Sequence, residues 1–77
     1  MPSNAERVKR VVAETLKVDV DRVTENARFV EDLGAESVQS VELVAAFEEE
    51  FDINMDEEEA LQVKSVGDAV GFIEKYL

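Results

Sequence analysis

Asp32-Leu33-Gly34-Ala35-Glu36-Ser37-Val38 leads directly into a segment, Ser37 to Phe51, whose apolar residues recur at helical spacing. Gly34 gives the backbone freedom to turn sharply into that helix. Val41, Leu43, Val44, Phe47 and Phe51 then make a broad apolar arc that we expect to face a core. Val38, Glu42, Ala45 and Glu49 fall on a second stripe that mixes small apolar groups with acids. Packing on a core does not require that stripe. It reads as a docking face, although the edge of an amphipathic helix produces the same pattern.

Working outward, Ser3 followed by Glu6 is a capping-box pattern that opens a helix running to about Lys17. Val8, Val11, Val12, Thr15 and Leu16 line one side of it, and Glu6, Arg10, Glu14 and Lys17 the other. Val18, Val20 and Val23 suggest a strand but have no partner strand elsewhere in the chain. Val18 to Glu36 therefore reads as a long loop with room for one short turn, anchored by Phe29, Val30 and Leu33. Asp56 caps a short acidic helix to Leu61 or Gln62, with Glu57 to Glu59 at the positive end of its dipole. Ser65 caps a last helix to about Tyr76, with Val66, Ala69, Val70 and Ile73 on its apolar face and Phe72 and Tyr76 beside it. The expected fold is all-α: a small four-helix bundle of three longer helices and one short one, with a long first loop. Residues 1–77 make one domain, and 45% apolar residues suffice for one small core. Such a core alone rarely supplies more than roughly 3–5 kcal/mol.

The net charge is −11, and it is unevenly placed. Arg7, Lys9, Arg10 and Lys17 cluster near the start, whereas no Lys or Arg occurs from Phe29 through Val63. A field of one sign opposes nucleic acid and anionic membranes and favours basic partner proteins. There is no cysteine, hence no disulfide or thiolate metal site. Apolar runs are far shorter than a bilayer span, and Met1-Pro2-Ser3-Asn4 has no signal-peptide character. These features lead us to expect a cytoplasmic protein. Without histidine there is no Ser-His pair. Asp19 and Asp21 start like a calcium loop, but Val23, Thr24 and Val30 occupy positions where it needs ligands or glycine. No phosphate-binding glycine loop is present, and we expect no metal site.

Ser37 is the remaining chemical candidate. At or near a helix N-terminus its hydroxyl is reachable, and unpaired amides with the positive dipole end favour a phosphate there by about 0.3–1 kcal/mol. A serine in that place is also a favoured N-cap, which needs no further chemistry.

Asp32 to Val38 resembles the Asp-Leu-Gly-x-Asp-Ser-Leu attachment motif of acyl carrier proteins. Glu6-Arg7-Val8-Lys9, Phe29 to Ala35, Val41-Glu42-Leu43-Val44 and Glu48 to Asp52 extend the resemblance over nearly the whole chain, to the discrete bacterial or organellar type of fatty acid synthesis. The resemblance implies that Ser37 receives a covalent 4'-phosphopantetheine arm from coenzyme A. The chain would hold acyl groups as thioesters without catalysing a reaction. It implies a phosphopantetheinyl transferase and basic-surfaced acyl-chain enzymes as partners, docked on Glu36, Val38, Glu42, Ala45, Glu48 and Glu49 of a monomer. It also implies an acyl pocket lined by Phe29, Leu43, Phe47, Met55, Ala60, Val63 and Ala69, all of which ordinary core packing would equally explain. Glu36 stands where the motif has Asp, Val38 where it has Leu, and Gln39 where an acid is common. Asp56 replaces a frequent proline, and Phe47 is bulkier than the usual aliphatic residue. A carrier of polyketide or aminoacyl cargo, or an unmodified acidic interaction domain, would share much of this sequence.

Overall fold

The computed structural model describes residues 2–77; Met1, at the head of the N-terminal stretch read above, lies outside them. Four α-helices follow one another: α1 Asn4–Leu16, α2 Ser37–Phe51, α3 Glu57–Ala60 and α4 Val66–Glu74. A single 3-10 turn, Val20–Arg22, interrupts the long first loop. No strand forms among the described residues, and the fold is the expected all-α bundle.

Local chemistry sets the helix starts. Ser3 Oγ accepts from the Glu6 amide at 3.1 Å, Asp56 Oδ1 from Glu59 at 3.1 Å, and Ser65 Oγ from Asp68 at 3.2 Å. The ends of α3 and α4 come earlier than their patterns suggest. Past Glu74 the chain tightens into a turn in which the Tyr76 amide donates to Ile73 O at 2.9 Å.

α1 packs against both α2 and α4. Val8, Val12, Val66 and Ile73 are almost completely enclosed where these helices meet. Each such side chain contributes about 1.5–3 kcal/mol relative to exposure. Arg7 fixes α1 to the end of α2: Nε donates to Glu50 Oε2 at 2.9 Å and Nη2 to Glu50 O at 2.7 Å. The same guanidinium lies over the Phe51 ring, 4.3 Å from its centroid.

Two core assignments are corrected. Val41 is 49% exposed, because it sits on the helix side of Val38 and Ala45 and not on that of Leu43 and Phe47. Val30 is 53% exposed at the apex of a turn whose flanks, Phe29 and Leu33, are buried. Val23, Ala27 and Ala35 supply the loop's remaining buried anchors. The loop is also tied to the start of α4: Arg28 and Ser65 form an isolated antiparallel bridge, Phe29 N donates to Lys64 O at 2.9 Å, and Val66 N to Ala27 O at 3.0 Å.

Candidate functional site

The stretch before α2 is a closed turn whose members each hold it shut. The amides of Asp32 and Leu33 both donate to Arg28 O at 3.0 Å, Gly34 N to Val30 O at 3.1 Å, and Ala35 N to Phe29 O at 2.8 Å. Gly34 has φ +71°, a left-handed conformation that strains any residue with a Cβ. Leu33 and Ala35 plug into the core on either side of it. Asp32 Oδ2 accepts from the Arg28 amide at 2.8 Å and from Arg28 Nε at 3.3 Å. The Arg28 amide, and after it the Arg28 guanidinium, hold the Asp32 carboxyl below its ordinary value. Asp32, Leu33, Gly34 and Ala35 thus act on the backbone, and their joint result is the position of Ser37.

Ser37 is the first residue of α2, and Glu36, not Ser37, is its N-cap. The Gln39 side chain closes this end by accepting from the Glu36 amide at 2.9 Å. That gives the neutral residue at 39 a structural role that needs only an acceptor oxygen. Ser37 is exposed, and among the described residues no side-chain hydrogen bond engages its hydroxyl. The simple capping explanation for a serine here therefore does not apply. The helical bonding begins at Ser40, whose amide donates to Glu36 O at 3.0 Å, leaving the amides of Ser37 and Val38 available to an anion.

Val38, Glu42, Ala45 and Glu49 share one exposed face of α2, with Glu36 at its head. Val41 belongs to that face too, and Val38 is 71% exposed. Glu48 stands apart. It is half-buried, and its Oε2 accepts from the Met55 amide at 2.8 Å, tying α2 to the connection before α3. Among the described residues no group of His, Cys, Asp or Glu is arranged to hold a metal ion.

All seven of the residues implied for an acyl pocket line one cavity of about 60 Å³. Phe29 comes from the loop, Leu43 and Phe47 from α2, and Ala60 from α3. Met55 and Val63 flank α3, and Ala69 comes from α4. Val44, Phe72 and Ile73 complete its walls, and Val30, Glu31, Ser40 and Lys64 supply its polar or exposed margin. An open cleft beside it is lined by Ala35, Glu36, Ser37 and Val38 together with Val30, Ser40 and Lys64. The last three residues are common to cleft and cavity, so the surface that carries the Ser37 hydroxyl adjoins the apolar interior. Sequence patterning singled out neither Ser40 nor Lys64. Only the bridging of the loop to the start of α4, a contact between distant segments, brings Lys64 to α2.

The family described as phosphopantetheine attachment site matches residues 6–73. Among solved structures, the chain is similar to one from Mycobacterium tuberculosis assigned as an acyl carrier protein. It has 29% identity over 95% of this chain and 97% of that one, and a TM-score of 0.87. An exposed, unbonded serine hydroxyl at a helix start, with free amides beside it, fits a group joined through a phosphate. The chain belongs to the phosphopantetheine-attachment family; it is a carrier with the fold of an acyl carrier protein and not an enzyme, and its prosthetic group is covalent 4'-phosphopantetheine.

Proposed function

We propose that Ser37 is the attachment residue and that the chain is a monomeric, one-domain carrier of fatty acyl chains in the cytoplasm. The observation that carries the first part is the closed Arg28–Ala35 turn, which presents an exposed hydroxyl that the helix itself does not use. In the loading step, Ser37 Oγ bonds to the pantetheine-bearing phosphorus of coenzyme A as the phosphoanhydride bond breaks, releasing the adenosine bisphosphate. The hydroxyl proton passes to a general base at the transferase's site. The prosthetic group supplies a terminal thiol on which cargo is held as a thioester.

The cargo is read from the cavity. Its walls are aliphatic and aromatic, which favours a hydrocarbon chain over a polar aminoacyl group. At about 60 Å³ it has space for only a short piece of such a chain before its walls move apart, and the Phe47 ring occupies part of the room an aliphatic residue would leave. Glu36, Val38, Glu42, Ala45 and Glu49, joined by Val41, form the proposed docking face for the transferase and for basic-surfaced enzymes of fatty acid synthesis. Glu48 takes part chiefly by holding the Met55 amide.

Intact-protein mass after incubation with coenzyme A, magnesium and a broad-specificity phosphopantetheinyl transferase tests the attachment residue. We expect one phosphopantetheine on the wild type and none on Ser37→Ala. Modification of both proteins would move the site elsewhere. Modification of neither, with a known carrier modified alongside, would favour an unmodified interaction domain.

A further inference from the structure

Lys64 is the only basic residue between Arg28 and Lys75 in the sequence, and it stands in the most acidic part of the molecule. The Phe29 amide bonded to its carbonyl at 2.9 Å, and the Arg28–Ser65 bridge beside it, fix its backbone. Lys64 lines both the cleft that holds Ser37 and the margin of the apolar cavity. Among the described residues it forms no ion pair, while Arg28 engages both Glu31 and Asp32.

We propose that Lys64 is an anion-holding residue for the phosphodiester that joins the arm to Ser37, drawing the arm across the cleft toward the cavity; this rests on the reading of Ser37 as the attachment residue. A phosphodiester adds negative charge beside Glu36 in a chain already at −11, and that repulsion has to be offset locally. The free amides at the start of α2 offset part of it from one side. Lys64 faces the same cleft from the opposite segment and is the only cation among the cleft's lining residues. Because Val30 and Ser40 line both spaces with it, an arm held by Lys64 runs along the surface that adjoins the cavity.

The test uses wild type, Lys64→Gln and Lys64→Arg, each as apo-protein and as holo-protein with the arm located by mass mapping of the Ser37 peptide. Lys64 is exposed and its structural bond is made by its backbone, so both variants keep the fold. At low ionic strength, the change in Tm on going from apo to holo should be more favourable by about 1–4 °C in wild type and Lys64→Arg than in Lys64→Gln. About 1 M salt should remove the difference. The phosphorus-31 resonance of the arm should shift in holo Lys64→Gln and return in holo Lys64→Arg, which a change in fold stability alone would not produce. With the arm on Ser37, equal Tm changes and an unmoved resonance in Lys64→Gln would overturn the role of Lys64 and leave Ser37 standing. An arm absent from Ser37 would overturn both.

Discussion

Asp32 illustrates how a charged residue in the turn ahead of α2 can serve the backbone. Its carboxylate is bound by the Arg28 amide and guanidinium, and its affinity for protons is lowered as a result. A lowered folded-state value means that the ionised form stabilises the fold. This contribution is fully present above the ordinary value of 3.8 and is lost as the pH falls through the lower, folded one. Asp32→Asn keeps an acceptor oxygen and removes the titration. In urea denaturation we expect the wild type to be the more stable near about pH 6, with the gap narrowing toward about pH 2. A gap independent of pH would mean that the Asp32 charge has no part in closing the turn.

At the scale of elements, Arg7 is the joint between α1 and the last turn of α2. It meets a carboxylate, a helix-end carbonyl and an aromatic face at once, a combination that the planar guanidinium satisfies and an ammonium does not. Arg7→Lys should destabilise the protein by about 1 kcal/mol, because the pair is a third exposed and partly screened. Arg10→Lys, whose nearest contact to Glu50 is 4.0 Å, should stay within about 0.5 kcal/mol. Thermal denaturation of both variants separates the two cases. The helices themselves were legible in the sequence because their signals are local: Ser3 and Ser65 sit just ahead of periodic runs and Asp56 ahead of an acidic one, and each caps a helix. Periodicity failed at Val41, since α2 bears two apolar stripes and spacing alone does not say which one is covered. It failed at Val30 because a tight turn points neighbouring side chains in different directions. The Asp-Leu-Gly stretch was readable as a turn, but Glu36 as the cap, Glu48 as a tether and Lys64 at the cleft depend on contacts that no single segment contains.

Across the whole molecule, α1 gathers α2 and α4 around one small core, while the opposite side, between α2, α3 and α4, is left incompletely filled. That void has a mechanical consequence. Unfolding replaces empty interior with solvent, so hydrostatic pressure favours the unfolded chain in proportion to the space eliminated. A cavity of about 60 Å³ contributes to that volume change, which scales with the internal space eliminated without equalling it. Acyl cargo that enters the space should reduce this volume change. High-pressure fluorescence of Tyr76 should therefore give a higher midpoint and a smaller unfolding volume for the acylated carrier than for the holo form. Equal volume changes would mean that the chain stays outside. On this account, resistance to pressure is what separates an empty carrier from a loaded one: the unladen molecule is the first to unfold when squeezed.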